Sequence, residues 1–400
     1  MILALLLAAD MMTGPLDLSR TRMGSGTSWQ PDTTPMLGWM WDASGWVLML
    51  HENVFAGVEA QSGRRGGAQV LSTNWVMGMA THSLAEGEIS GRLMFDLEPL
   101  TATAQGYPLL LQTGEAYNGA ALHDRQHPHD LFMEVALLYT RAVADDLALQ
   151  LYAAASGEPA LGPVAFPHRF SAEFTPLAPI AHHWLDSSHV SFGVMTLGVF
   201  TPHVKLELSL FNGREPDQHR YDFDFRPLDS LSTRLTWNPC AWLSAQASYG
   251  FLRSPEQLVP DEAEHRVTAS LTAHRQFSLG EWDTLLAYGV KLHERQHAAN
   301  ALLIESAVLI REHHAIFGRG EIVQKEAGDL SVALPGFHTV GELTLGYVFS
   351  IAPIANIAWG LGVSGTLNVV GSALAGDYGT TVPVGGMVFV QMRPSSMSMN

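Results

Sequence analysis

The stretch "VKLELSLF", residues 204–211, limits the fold of this chain more than any other feature. On an extended backbone Val204, Leu206, Leu208 and Leu210 fall on one side, and Lys205, Glu207 and Ser209 on the other. Successive strand side chains leave opposite faces, so a period of two predicts a β-strand and not a helix. In "GEISGRLMFDLEPL", Ile89, Leu93, Phe95 and Leu97 oppose Ser90, Arg92, Asp96 and Glu98. "HRVTASLTAH" and "AIFGRGEIVQKE" repeat the pattern, the latter setting Ile316 and Ile322 against Arg319, Glu321 and Lys325.

A soluble β-sandwich also alternates, but here the polar faces place Arg beside Asp or Glu on one strand, which suits a wet lumen. The alternating runs span about 10–14 residues, longer than ordinary strands and close to a tilted bilayer crossing. Strands are expected near 45–60, 70–82, 88–99, 131–142, 145–154, 188–200, 203–212, 229–238, 241–251, 264–277, 281–292, 300–311, 314–326, 338–350, 355–368 and 383–393. Tight turns such as "SLAEGE", "RAVADD" and "WNPCAW" alternate with long segments near 100–130, 155–187, 213–228, 252–263, 327–337 and 369–382. The expected fold is therefore all-β: an antiparallel transmembrane β-barrel of about sixteen strands, with long loops at one end and short turns at the other.

Composition agrees. Hydrophobic residues make up 47% of the chain and charged residues only 15%, against about 25% charged in ordinary globular domains. Yet no apolar run reaches the roughly 18 residues of a spanning helix. Cys240 is the single cysteine, which excludes a disulfide framework and cysteine-based metal patterns. A net charge of −17 excludes nucleic acid as a partner, since phosphates would be repelled. The opening "MILALLLAAD" resembles part of an export signal. The chain divides into a signal-like start and N-terminal segment (1–35), the barrel (36–393) and a short Met/Ser-rich tail (394–400). Trp39, Trp41, Trp46, Trp75, Trp237, Trp242 and Trp282 fall near strand ends, where an interfacial girdle is expected.

Candidate chemistry concentrates in three consecutive long loops. The first ends in "HDRQHPHDLF", with His123, Asp124, His127, His129 and Asp130. The second carries His168, His182, His183, Asp186 and His189, and the third His219. Neutral imidazoles beside carboxylates suit divalent transition metals, so copper or zinc is the candidate cofactor. His182 and His183 would point apart on an extended chain, so a site would draw one ligand from each loop. The competing reading is that these groups anchor the loops through backbone hydrogen bonds. Ser187 or Ser188 with His189 and Asp186 gives no triad spacing, and no nucleophile elbow occurs, so no enzyme is expected. Methionines in "MLGWMW", "VLML", "WVMGMA" and "SMSMN" offer thioethers suited to Cu(I), or simply filling and lipid-facing side chains.

Several long segments resemble a known group of proteins: "GSGTSWQPDTTPM" (24–36), "GYPLLLQTGEAYNG" (106–119), "DRQHPHDLFME" (124–134), "GEPALGPVAFPHR" (157–169), "APIAHHWLDSSHVSFGV" (178–194) and "FNGREPDQHRYDFD" (211–224). The group comprises bacterial outer-membrane β-barrel proteins, often encoded beside copper or other heavy-metal efflux genes. The resemblance implies an exported barrel with a metal-related envelope role, and carries over no ligand set.

The first expectation is a porin-like channel of the bacterial outer membrane for small polar or ionic solutes. Arg92, Asp96, Glu98, Lys205, Glu207, Arg234, Arg319 and Glu321 would line the lumen, and the loops at 100–130 and 155–187 would constrict it. Its partners would be outer-membrane lipid, small solutes or metal ions, and a second copy or another envelope protein. The alternatives are a metal-binding envelope protein and a structural barrel plugged by its own loops.

Overall fold

The computed structural model describes residues 12–293 and 298–399. The signal-like "MILALLLAAD" lies outside the described residues. Sixteen strands form a closed antiparallel barrel. They are β1 (Trp46–Gln61), β2 (Gly67–Leu84), β3 (Gly87–Phe95), β4 (Phe132–Ala144), β5 (Leu147–Gly157), β6 (Ser191–Phe200), β7 (Val204–Phe211) and β8 (Ser230–Cys240). The second half comprises β9 (Leu243–Leu252), β10 (Glu264–Phe277), β11 (Gly280–His293), β12 (Ala299–Ile310), β13 (His314–Glu326), β14 (Phe337–Ser350), β15 (Ile357–Val369) and β16 (Val384–Pro394). Each strand pairs with its successor, and β16 closes the ring on β1 from Val54↔Met392 to Gln61↔Gly385. The start of β1 pairs instead with the hairpin strand Gly38–Ala43, which Met397–Met399 joins in parallel. The tail is thus partly tied into the wall.

The period of two has its physical counterpart in burial. On β7, Leu206, Leu208 and Leu210 are exposed at 50%, 56% and 39%, while Lys205, Glu207 and Ser209 are fully buried. An apolar outer face of this kind is stable only against lipid. Connections at one end are 85–86, 145–146, 201–203, 241–242, 278–279, 311–313 and 351–356; among the described residues the opposite end carries 62–66, 96–131, 158–190, 212–229, 253–263, 327–336 and 370–383.

The strand β3 stops at Phe95, short of the expected residue 99. Its pairing with β4 shifts register between Met94 and Phe95, and Glu98–Leu100 turns into a 3-10 helix. Asp96 and Glu98 therefore belong to a loop, not to a strand face. Trp75 also departs from the expected girdle. It faces inward, with its ring 5.0 Å from His51 and 4.7 Å from His168.

The larger departure concerns the lumen. In place of open water, the inward charges meet chain. Segment 158–190 crosses the interior and is tethered around the wall: the N–H groups of Ala160 and Gly162 donate to Ser209 and Ser248, each at 2.8 Å. Ala181 N–H donates to Glu321 at 2.8 Å, Arg319 donates to the carbonyl of Ala178 at 2.9 Å, and Asn53 donates to that of Glu173 at 2.9 Å. Gly289 on β11 makes room for the helical turn His182–Leu185: a Cβ there would lie 2.6 Å from the Trp184 carbonyl oxygen. The N-terminal segment also enters the barrel, where Lys205 Nζ donates to Thr27 O at 2.5 Å and Asn238 to Gln30 O at 2.9 Å. Residues 24–31 are thus packed with the barrel.

Arg234 and Arg319 satisfy their charges within the wall, against Glu207 and Glu321 at 2.9 Å each. Arg92 lies 3.8 Å from Glu134. Buried charges persist only when paired in this way.

Candidate functional site

The connections 96–131, 158–190 and 212–229 meet at one end of the barrel, partly buried and partly at its surface. Leu131 N–H donates to the Arg220 carbonyl at 2.8 Å, and Asn118 N–H to the Gln218 side chain at 2.7 Å. Between them five imidazoles pack in a chain. Ring centroids are separated by 6.1 Å for His127–His129, 5.1 Å for His129–His189, 5.1 Å for His182–His189 and 5.4 Å for His182–His183. His182 and His183 can both join because they lie on a helical turn, not on the extended chain that their adjacency alone would imply.

Of the four groups among the described residues whose ligand atoms lie within 4.8 Å of one another, two include rings of this row: Asp96–Glu98–His129, and Glu115–His183–Glu215. In the first, His129 Nδ1 lies 2.9 Å from Glu98 and 3.3 Å from Asp96. In the second, His183 Nδ1 lies 3.1 Å from Glu215 and its Nε2 3.8 Å from Glu115, which His127 Nε2 also approaches at 2.7 Å. Gly114 (φ +111°) permits this approach, since a Cβ would fall 2.7 Å from the His183 ring.

Protonation divides the histidines. Burial pushes the imidazolium of His129 down, but the carboxylates of Glu98 and Asp96 outweigh it and hold His129 up to about 10. Burial, then repulsion from Glu98, pushes Asp96 up to about 7. Burial drives His127 and His189 well down, with Arg220 adding to the effect at His127 and the neighbouring rings of His182 and His129 at His189. Burial also lowers His182, against the pull of Asp186. Most of these rings are therefore neutral near pH 7 and hold a free lone pair. The Nε2 atoms of His129, His183 and His189 are buried with no hydrogen-bond partner among the described residues. Imidazole nitrogens with two carboxylates form a borderline-hard donor set that fits Zn(II) or Cu(II).

The remaining candidates play other parts. His123 hydrogen-bonds Asp124 at 3.1 Å. Asp124 accepts from Arg65 at 3.1 Å, Tyr378 at 3.0 Å and Leu111 N–H at 2.8 Å, a set that anchors the loop. Asp130 pairs with Arg220 at 3.2 Å, and burial pushes it up to about 7. Asp186 ties His182 to Arg169 (2.8 and 2.7 Å). His219 is exposed at the loop surface. His168 sits apart, with its Nε2 3.3 Å from Met94 Sδ. Sequence reasoning misses Glu115: a lone glutamate in a long loop has no periodicity, and apart from His127 its partners His183 and Arg220 come from two other loops.

No family model matches the chain, and no curated protein matches it. Solved structures do. An anion-selective porin from Comamonas acidovorans superposes with a TM-score of 0.53 at 12% identity, covering 87% of this chain and 99% of the porin. OmpF of Salmonella typhi gives 0.55 at 7%, covering 87% and 98%. A loop-deletion variant of OmpT, an outer-membrane protein of Vibrio cholerae, gives 0.51 at 7%, covering 88% and 99%. The fold is that of bacterial outer-membrane porins.

Proposed function

We propose that the protein is a porin-like channel of the bacterial outer membrane, passing small polar or ionic solutes through a lumen that segment 158–190 holds narrow. The observation that carries this reading is the tethering of that segment to β1, β7, β9 and β13 inside a closed barrel with a lipid-compatible exterior. Lys205, Arg319 and Glu321 on the wall are buried against the inserted chain and hold the constriction in place. Planar-bilayer recording tests it. Small, discrete current steps are expected, and silence at all voltages, from both the native protein and a variant lacking residues 163–185, would refute it.

A second reading rests on the unpartnered imidazoles. The Glu115, His183 and Glu215 cluster, with His127 Nε2 2.7 Å from Glu115, binds a divalent ion, Zn(II) or Cu(II), along that pathway, consistent with the heavy-metal association of the proteins this chain resembles. Calorimetry with either ion should give heat that His127→Ala and His183→Ala each reduce; unchanged heats in both remove the cluster from consideration.

A further inference from the structure

Away from that cluster, a cavity of about 110 Å³ lies between the N-terminal segment, the first strands of the wall and the inserted segment. Its lining is sulfur-rich: Met23, Met36, Met40, Met49, Met77 and Met79 border it, together with His51 and His168. Strand register accounts for the concentration. Met40 stands opposite Met49, Met49 opposite Met79, and His51 opposite Met77, which in turn stands opposite Met94. Three neighbouring strands and the hairpin strand before them thus present a continuous inward patch of thioethers around one imidazole. The inserted segment adds His168, whose Nε2 touches Met94 Sδ.

From this geometry we infer a binding site for a soft monovalent metal ion, Cu(I) or Ag(I), held by the methionine thioethers and the two imidazoles. Thioether sulfur is a neutral, polarizable donor that prefers Cu(I) and binds Zn(II) poorly. The charge balance points the same way. The cavity's two carboxylates, Glu134 and Glu88, lie 3.8 Å from Arg92 and 2.6 Å from Arg20 respectively, so little negative charge is left over for a dication. A purely packing role is disfavoured by His51 Nε2, which is buried with no hydrogen-bond partner among the described residues. Burying an unsatisfied imidazole nitrogen is costly, and a metal ion would satisfy it. The cavity is also well above the roughly 10–15 Å³ of such space that a single water needs.

The site is independent of the channel reading and of the imidazole–carboxylate cluster, and the test separates them. The full-length protein, folded in detergent, is titrated anaerobically against a coloured Cu(I) chelator, and in parallel with Ag(I). Withdrawal of one equivalent of Cu(I) is expected. The double variant Met49→Leu/Met77→Leu, which keeps the apolar volume and removes two sulfurs, should weaken binding by about tenfold or more. X-ray absorption of the Ag(I) form should show sulfur neighbours that the double variant loses. Failure to withdraw Cu(I), or equal affinity in a double variant whose β-signal by circular dichroism is intact, overturns the proposal. So does loss of Cu(I) binding in His127→Ala/His183→Ala with the methionine variant unaffected, because the ion would then sit in the loop cluster.

Discussion

Replacing Arg169 by Ala should release the inserted segment from the lumen. The guanidinium is buried and donates to Asp186 at 2.7 Å, to Glu305 on β12 at 3.0 Å and to the Val164 carbonyl at 3.1 Å. It thus joins the segment to the wall and to itself. Ser171 still donates to Glu305 in the variant, Arg319 stays 3.6 Å from it and His182 still hydrogen-bonds Asp186, but each carboxylate loses its nearest cation. Removing one partner from a buried pair costs about 3–5 kcal/mol, because the other charge stays buried. The barrel wall has its own ladder, so the cost falls on docking of the segment. At about 1.4 kcal/mol per decade, the undocked population should rise by about two to three and a half orders of magnitude. Single-channel recording reads this as larger or longer openings, and proteolysis as new cleavage within 158–190. Arg141→Ala is the control: its pair with Glu86 sits on an exposed turn and should cost under about 1 kcal/mol. Native-like conductance and protease resistance in Arg169→Ala, with the control also silent, would refute the argument that this charge holds the plug.

Leu208→Arg places a cation on the lipid face of β7, where Leu208 is exposed, and should destabilise the barrel in bilayers by about 2–4 kcal/mol if it lies near the midplane; urea titration of vesicle-folded protein measures it. Gly289→Val should displace the turn at His182–Leu185, because even a Cβ meets the Trp184 carbonyl oxygen at 2.6 Å. Increased conductance without loss of β-signal is the expected result. The pH dependence follows from His129 and Asp96, both measured with a metal chelator present. His129 is held up to about 10, above its ordinary value near 6.5, so its stabilising contribution is complete below about 6.5 and is lost as pH rises through 10. Asp96, raised to about 7, is protonated more readily folded than unfolded, so it too favours the folded cluster at low pH and loses that effect between about 4 and 7. Protection of the 96–131 amides, measured as exchange relative to the intrinsic rate at each pH, should therefore fall from pH 6 to 10.5, and His129→Gln should flatten the upper part of the profile.

Much of the architecture was legible from local pattern. Lys205/Leu206/Glu207/Leu208 alternate because one face must meet lipid and the other must not, and that requirement acts residue by residue along every strand. The sixteen strands follow from the same logic. The clustering of histidines in consecutive loops was legible too, since antiparallel hairpins return such loops to one end. What no local pattern encodes is the path of a loop after it leaves the wall. Whether 158–190 covers the mouth or fills the lumen depends on shape and charge matching with residues such as Ser209, Ser248 and Glu321, which lie on different strands. Trp75 reads as a girdle residue and His168 as a loop ligand, until the packed interior sets them against His51 and Met94. The methionine patch has the same origin: each Met is unremarkable on its own strand, and only the cross-strand register stacks Met40, Met49, Met77, Met79 and Met94 on one inner surface. The sequence by itself thus determined a barrel and its faces through nearest-neighbour alternation, whereas tertiary structure decided what occupies the interior, because that depends on contacts between residues far apart in the chain.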